Sequence, residues 1–490
     1  MQGSMTRPPS RRHTLLLALL LSALAVSSLV TILRDNRPLV FDPAENLVSA
    51  VLLQQALGSL APADHRRWVR HMGFRPPLPA IVSLPAVALI SDHVVAIRVT
   101  DLAFLLLCVW MIYRLGARLS GPAAGLGAAL LFAAFPLVQS WGRMGNGDPV
   151  IWFTLLLLFR ITLELDLRSR WQATALGLAV GLCMLTRLLA LVFLVGPALW
   201  IALFKVRQRR TLLHLVAAGV WAAAAAGWWY LLKLDAISFN LRTSASRLSA
   251  AAPADTSAAG YLHLYPWLFG VVVVAAIVAW RRRLLSREHL ALFGLWIGAA
   301  AAQLVLVWDF WERYPLALLP QCALLVAVVT DRALRDLPRW RAPAWLALAL
   351  LALVPLAYWH LSDEPWRRSG LFLADTRPYD GMERALAAVP PPGPALLINE
   401  VYNRSFALGR FLARGDRRRV IIDAFDPHLQ TSVRHVIRVT EREPVPGADE
   451  LWRELCRRAR PQPVLETRDP DGMEYHVARL PRPLDLGELR

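Results

Sequence analysis

Long apolar runs separated by short basic loops dominate residues 1–361. Most runs are about 18 to 22 residues long and almost free of charge, which is the helical length that crosses roughly 30 Å of hydrocarbon. The pattern therefore predicts a polytopic α-helical membrane protein with about 11 transmembrane helices. The expected spans lie near residues 14–33, 93–113, 121–139, 150–165, 172–186, 188–204, 211–232, 262–280, 289–308, 313–330 and 343–360.

Composition supports this interpretation and excludes other classes of protein. Of the 490 residues 56% are hydrophobic and 18% are charged, whereas soluble globular proteins carry roughly 25% charged residues. The mean hydropathy is +0.41. These values exclude a soluble, disordered, collagen-like or small disulfide-rich protein. The 4 cysteines do not report the compartment, because Cys456 alone lies outside the apolar runs.

The net charge of +18 belongs almost entirely to the membrane part. Residues 1–361 contain 33 Lys and Arg against 16 Asp and Glu, whereas residues 362–490 contain 21 against 20. The tail thus lacks the basic face that nucleic-acid binding requires, and no nucleic-acid partner is expected. The basic residues of the membrane part gather in the N-terminal tail and in alternate loops, which the positive-inside rule places in the cytoplasm.

An odd number of spans then places the two termini on opposite sides of the plasma (inner) membrane. We expect a cytoplasmic N-terminal tail at 1–13, a transmembrane domain at 14–361 with a long first outer loop at 34–92, and a small periplasmic or extracellular α/β domain at 362–490. Apolar patterns in this last domain predict strands at Ala395–Val401 and Val420–Ala424, and helices at Ser405–Arg414 and Ala448–Arg460.

The first outer loop contains two apolar segments that are too short to span a bilayer. Ala44–Leu57 has apolar residues at helical spacing, which predicts a helix lying along the membrane surface. Leu78–Ile90 is apolar over 13 residues and contains two prolines, which favours an interfacial or re-entrant piece.

Acidic residues near a bilayer are costly, so their depth indicates where a site lies. The acids of interest are expected at the outer ends of spans, with none in mid-span: Asp42, Glu45, Asp148, Asp309 and Glu312. A proton-coupled or ion-coupled transporter would more often place an acid near the midplane. The pattern therefore indicates a site at the outer leaflet.

Two features of the first outer loop allow both a structural and a functional interpretation. Asp42 precedes a proline and stands three residues before Glu45, so it either caps the surface helix or joins Glu45 as a pair of carboxylates facing a substrate. Arg75 stands before two prolines just above the headgroups. It either snorkels to the interface or holds a lipid phosphate.

Two further outer segments carry the same ambiguity. Gly142–Pro149 contains three glycines, Arg143 and Asp148, and Asp148 either caps the next helix or contributes to a site. Arg313 and Tyr314 open the tenth span beside other aromatic residues, as an interface anchor would.

The ordered set of these motifs resembles the GT-C superfamily of membrane glycosyltransferases, and in particular the family 39-like protein O-mannosyltransferases and lipid A aminoarabinose transferases. The resemblance covers roughly residues 14–360 and depends on the order and the membrane side of the motifs. Many relatives have adjacent Asp and Glu, whereas two residues separate them here. The matching segments are Asp42-Pro-Ala-Glu45, Arg75-Pro-Pro-Leu78, Ala96-Ile-Arg98, Asp148, and Arg313-Tyr314 through Pro320.

The resemblance implies an inverting transfer of a sugar from a polyprenyl-phosphate donor to an acceptor at the outer face of the membrane. Asp42 would be the general base, with Glu45 and Asp148 as further catalytic residues. Arg75 and Arg313 would bind the donor phosphate, and Arg143 and Tyr314 would contact substrate. No cofactor is expected, and a monophosphate leaving group with arginine partners needs no metal, although a divalent metal stays open.

The histidines of the first outer loop, His65 and His71, do not form a tetrahedral ligand set, so no metal site is expected. The expected partners are the lipid-linked donor, membrane lipids, and a lipid, glycan or protein acceptor. Two alternatives remain open at this point. One is a non-enzymatic transporter of lipid-linked saccharides or a membrane scaffold, and the other is an oligosaccharide polymerase or ligase that uses the same kind of donor.

Overall fold

The computed structural model shows a helical bundle followed by a small sheet. It describes residues 11–36, 39, 42–59, 62–72, 75–167, 169–188, 190–206, 209–238, 266–306, 314–335, 337–361, 380–389, 395–399, 421–423, 432–440, 448–468 and 473–485. Among these residues, four helices are each long and apolar enough to cross a membrane, and shorter apolar helices accompany them. The protein is therefore a multi-pass membrane protein, while the number of spans stays a prediction.

The helices of the first half follow the predicted apolar runs closely. They are α1 (Arg11–Arg34), α2 (Asp42–Ser59), α3 (Pro62–His71), α4 (Leu78–Leu89), α5 (His93–Leu119), α6 (Pro122–Ala133), α7 (Pro136–Trp141), α8 (Asp148–Leu163), α9 (Arg170–Met184) and α10 (Ala190–Phe204).

The second half continues in the same way up to the end of the bundle. Its elements are α11 (Arg209–Ala222), a π-helical turn (Ala223–Gly227), α12 (Trp228–Leu232), α13 (Pro266–Arg281), α14 (Arg287–Leu306), a 3-10 turn (Tyr314–Leu318), α15 (Leu319–Ala333) and α16 (Pro338–Leu361).

The predicted span 121–139 is interrupted in the structure. Phe135 adopts an extended conformation between α6 and α7, and Pro136 begins α7. Proline has no N–H to donate to the helical hydrogen-bond pattern, so the helix is interrupted at this point. Gln139 compensates by donating from Nε2 to the Ala133 carbonyl at 2.8 Å.

Glycines let neighbouring helices of the bundle approach closely. A Cβ on Gly116 would lie 2.7 Å from the Cα of Gly125, at the crossing of α5 and α6. A Cβ on Gly177 would lie 2.3 Å from the Ala218 carbonyl oxygen, where α9 meets α11. Small residues at such crossings are typical of helix packing in membranes, where dispersion contacts replace the hydrophobic effect.

The first outer loop folds onto the bundle as α2, α3 and α4. Leu47 and Val51 of α2 pack with Ile97 of α5, while Val48 on its other face packs with Trp68 of α3. Apolar residues are therefore buried on both sides of α2. Protein thus covers the apolar residues of α2, while its course along the membrane surface stays a prediction.

The described part of the tail forms a five-stranded sheet with the order β2-β1-β3-β5-β4. The strands are β1 (Ala395–Asn399), β2 (Ile421–Asp423), β3 (Ser432–Thr440), β4 (Gln462–Arg468) and β5 (Glu474–Asp485). β1 pairs in parallel with β2 and β3, whereas β3–β5 and β5–β4 are antiparallel.

Two helices pack on this sheet, α17 (Gly381–Ala387) and α18 (Ala448–Ala459). Ala385 of α17 packs with Ile437 and Val439 of β3, while Leu455 of α18 packs with Val436 of the same strand. Since alternate residues of a strand point to opposite faces, one helix covers each face. The predicted helix Ser405–Arg414 lies outside the described residues, and the domain division at residue 361 stays a prediction.

Candidate active site

An alternating row of acidic and basic side chains lies where several helices of the bundle end. Arg75 contacts Glu45 through Nη1, and its Nη2 lies 2.8 Å from Asp42 Oδ1. The other oxygen of Asp42 lies 2.7 Å from Arg187 Nη2, and Arg187 Nη1 lies 2.9 Å from Asp148 Oδ1. We call these five side chains, Glu45, Arg75, Asp42, Arg187 and Asp148, the ion-pair row.

The row draws on parts of the chain that are far apart in sequence. Its members come from the segments that follow the end of α1 and the end of α9, and from the beginning of α8. They therefore share one end of the bundle. Asp42 and Glu45 belong to the first turn of α2, where the partial positive charge of the helix terminus favours acidic side chains. Residues three apart lie on the same face of a helix, which lets one arginine reach both carboxylates.

Two backbone constraints hold Arg75 in place. Its N–H donates to the Met72 carbonyl at 3.0 Å, just beyond the end of α3. The two prolines that follow fix the backbone up to Leu78, whose N–H donates to the Leu185 carbonyl at 2.9 Å. The loop that carries Arg75 is thus tied to the turn that carries Arg187.

Arg187 is a site residue that the sequence analysis missed. It lies in the short turn between α9 and α10 and bridges Asp42 and Asp148 with its two terminal nitrogens. A signal was present in the sequence, because Arg187 is the sole charged residue between Arg170 and Lys205. A single cation at the predicted outer junction of two apolar spans is costly unless it has a partner there.

The glycine-rich turn before α8 positions Asp148. Gly147, with φ +76°, is the N-cap residue of α8, and a Cβ there would lie 2.9 Å from the Cβ of Pro79. Gly145 has φ +83°, and a Cβ there would lie 2.7 Å from Cγ2 of Ile97. Both positions require glycine, because left-handed backbone disfavours side chains and the neighbours leave no room. Asp148 itself is 3% exposed.

Asn146 adds two polar groups at this turn. Its Nδ2 donates to Asp148 Oδ2 at 2.6 Å, so both oxygens of Asp148 are engaged. Its Oδ1 is buried and has no hydrogen-bond partner among the residues that the structure describes. A buried acceptor of this kind is rare in folded proteins and is satisfied by a donor from a ligand or from water.

Asp101 corrects the expectation that acids occur only at the outer ends of spans. It lies within α5, is 2% exposed, and accepts a hydrogen bond from the Gly147 N–H at 3.1 and 3.2 Å. Its carboxylate therefore fixes the glycine-rich turn to α5. An acid inside an apolar run was the available signal, and its buried backbone partner explains how the bundle tolerates it.

The remaining predicted site residues have other surroundings or lie outside the described part. Arg143 is buried and donates to Thr31 Oγ1 at 3.2 Å, which ties the turn to the end of α1. Arg98 donates to the Asp35 carbonyl at 2.9 Å. Arg313 lies outside the described residues, as does the side chain of Tyr314. The roles of Arg143, Arg313 and Tyr314 in binding stay predictions.

The row carries three carboxylates and two guanidinium groups, a net charge of −1. Its side chains other than Asp148 are partly open to solvent, with 17% exposure for Asp42, 27% for Arg75 and 20% for Arg187. Within the described ranges no three His, Cys, Asp or Glu side chains are grouped as a metal site. What the row offers is two fixed cations with a carboxylate between them.

Known proteins share this architecture. The family model of dolichyl-phosphate-mannose-protein mannosyltransferase matches residues 75–230, which include Arg75, Asp148 and Arg187. The crystal structure of ArnT from Cupriavidus metallidurans bound to undecaprenyl phosphate superposes with a TM-score of 0.60 and 15% sequence identity. That superposition covers 94% of this chain and 97% of ArnT. The chain has the GT-C fold.

A second structural relative agrees with the GT-C fold. The oligosaccharyltransferase of Archaeoglobus fulgidus in the apo form gives a TM-score of 0.54 at 11% identity, covering 86% of this chain and 69% of that one. No curated protein matches the sequence. The resemblance inferred from the motifs is thus confirmed. Since identities are this low, the likeness shows the fold alone.

Proposed function

We propose that the protein is an inverting membrane glycosyltransferase that moves a sugar from a polyprenyl-phosphate donor to an acceptor at the outer face of the membrane. The observation that carries the proposal is the Asp42 carboxylate held between Arg75 and Arg187 at one end of the bundle. The chemistry needs a proton acceptor next to positive charge for a leaving phosphate, and the row supplies both.

In the proposed reaction an acceptor hydroxyl attacks the anomeric carbon of the donor sugar. The new carbon–oxygen bond forms on the face opposite the bond to phosphate, so the configuration inverts. The electron pair of the broken bond goes to the phosphate oxygen, and the hydroxyl proton goes to Asp42. The products are the glycoside, a polyprenyl phosphate with one more negative charge, and a protonated Asp42.

Each further member of the site has a role in this scheme. Arg75 and Arg187 neutralise the charge that develops on the phosphate, which is the largest electrostatic demand of the step. Asp148 orients Arg187 through its contact with Nη1, and the buried acceptor atom Asn146 Oδ1 suits a sugar hydroxyl. Glu45 holds Arg75. The scheme uses no cofactor, because the two guanidinium groups supply the positive charge.

The relatives support the choice of donor class. ArnT was crystallised with undecaprenyl phosphate, and the oligosaccharyltransferase AglB of Archaeoglobus fulgidus is known in complex with an inhibitory peptide and a dolichol phosphate. A polyprenyl-phosphate donor for this chain follows by analogy of fold. We place the site on the outer side of the inner membrane, with the N-terminus in the cytoplasm, because the basic loops lie at the other ends of the helices.

The test is Asp42→Asn, since asparagine has nearly the shape of aspartate but no carboxylate to take the proton. Transfer of radiolabelled mannose from its undecaprenyl phosphate in membranes should fall by about two to four orders of magnitude at matched expression. The control is Asp92→Asn, because Asp92 caps α5 by accepting from the N–H groups of Val94 and Val95. It should retain wild-type transfer.

The same assay separates the proposal from its non-enzymatic alternative. Wild-type turnover in Asp42→Asn would contradict the role of Asp42 as base. If Asp148→Asn were equally active, a transporter or scaffold would explain the fold better. Transfer that persists in EDTA is the expected result, and its loss with recovery on adding Mn²⁺ or Mg²⁺ would contradict a reaction that depends on arginines alone.

A further inference from the structure

We infer that the donor phosphate displaces Asp42 from Arg75 and Arg187, so that donor binding itself releases the base. The inference rests on the proposed function and concerns how its site operates. Its starting point is that the two oxygens of Asp42 contact two different guanidinium groups, at 2.8 Å from Arg75 and 2.7 Å from Arg187.

A carboxylate held in this way is poorly suited to accept a proton. Each oxygen receives a charge-assisted hydrogen bond, and two adjacent cations oppose neutralisation of the carboxylate. The acceptor hydroxyl would also have to approach oxygens that already face donors. Asp42 must therefore lose at least one of its two arginine contacts before it can act.

Phosphate is suited to replace Asp42 because it offers the same kind of contact. Guanidinium groups bind carboxylate and phosphate oxygens with similar planar geometry. Two phosphate oxygens can thus take the places of the two Asp42 oxygens, one facing Arg75 and the other facing Arg187. The exchange needs no rearrangement of either arginine backbone.

The outer members of the row keep the arginines in place during this exchange. Arg75 retains Glu45 through Nη1, and Arg187 retains Asp148 through Nη1. Asp148 is in turn held by Asn146. The two cations therefore stay fixed around the position that Asp42 leaves. This gives Glu45 and Asp148 a role in the site as anchors of the two arginines.

The flow of charge in the reaction follows the same geometry. Before the donor binds, the negative charge between the arginines belongs to Asp42. After transfer Asp42 has gained a proton and the phosphate has gained a charge, so the negative charge between the arginines belongs to the phosphate. The total charge of the site with its ligand does not change during the step, and the preformed cations need no reorganisation.

The inference makes a prediction that a purely structural role for Asp42 does not make. Asp42→Asn removes the internal competitor, so the variant should bind undecaprenyl phosphate more tightly than wild type while its transfer is lost. We expect roughly a tenfold decrease in Kd, because two partly exposed ion pairs no longer have to be broken. If Asp42 merely supported the fold, binding would be unchanged or weaker.

The experiment measures binding of undecaprenyl phosphate to the full-length protein in lipid nanodiscs. The variants are wild type, Asp42→Asn, and Asp42→Ser as a second uncharged variant if the asparagine variant expresses poorly. Asp92→Asn is the matched control, since it removes one negative charge from a helix cap at the same end of the bundle, and its Kd should equal that of wild type. Arg187→Gln should weaken binding at least tenfold.

The outcomes separate this inference from the function on which it rests. Tighter binding by both Asp42 variants supports the exchange, whereas unchanged or weaker binding overturns it and leaves the proposed function standing. If wild type does not bind undecaprenyl phosphate, the donor assignment of the proposed function fails. Inorganic phosphate should compete weakly because it lacks the prenyl chain, and competition equal to that of the lipid would overturn the assignment to a lipid donor.

Discussion

Gly147→Ala tests whether the glycine-rich turn places Asp148 as the structure shows. The backbone of Gly147 has φ +76°, and an added Cβ would lie 2.9 Å from the Cβ of Pro79 and 3.3 Å from Asn46 Nδ2. Left-handed backbone costs an alanine about 1 to 2 kcal/mol. Contact with a proline that belongs to α4 adds an overpacking cost of about 1 to 3 kcal/mol.

These two costs predict that Gly147→Ala loses about 2 to 5 kcal/mol of stability. Part of the strain will be relieved by a shift of the turn, which moves Asp148 and weakens the contact between the Gly147 N–H and Asp101. A displacement of about 1 Å at a reacting group can lower a rate by about 100-fold. We therefore expect both a lower unfolding midpoint and a loss of transfer.

Two other glycines provide controls that separate strain from steric contact. Gly121 has φ +139° and nothing within 4 Å of an added Cβ, so Gly121→Ala should carry backbone strain without a clash and lose less stability. Gly58 lies in α2 with open space around it, and Gly58→Ala should stabilise the helix by about 0.5 to 1 kcal/mol.

The measurement is the midpoint of thermal unfolding in detergent, with sugar transfer measured in membranes at matched expression. The predicted order of stability is Gly58→Ala, wild type, Gly121→Ala and then Gly147→Ala. An unfolding midpoint and a transfer rate for Gly147→Ala that match those of wild type would refute the geometry of the turn.

Two further predictions concern the missed arginine and the topology. Arg187→Gln should lower transfer by at least 100-fold, whereas Arg187→Lys should retain part of it, because one ammonium group cannot present the planar fork that bridges Asp42 and Asp148. Equal activity of the two variants in the membrane assay would contradict the bridging role. A cysteine placed in the loop 281–287 should resist an impermeant reagent applied to intact cells, and a reporter fused after Arg490 should be active outside; the opposite pattern would mean that the span count is wrong.

The buried members of the site show where sequence reasoning stops. Asp42, Arg75 and Asp148 were recognisable because each stands beside proline near the end of an apolar run, and Glu45 because it follows Asp42 by three residues. Arg187 and Asp101 were not selected, although both are charged residues within or between apolar runs. Burying either side chain without a partner is unfavourable. The partners are Asp148, 39 residues from Arg187, and the Gly147 N–H, 46 residues from Asp101.

The apolar runs determined the class of the protein and the approximate positions of its helices, because a helix must be apolar over about 20 residues to lie in hydrocarbon. The same reasoning did not determine which side of α2 faces protein, that the helix is interrupted at Phe135, or which acid pairs with which arginine. Only the tertiary structure decided these points. The sequence shows that a charged side chain lies near the membrane, where it is energetically unfavourable without a partner. Which residue becomes that partner depends on how the helices pack.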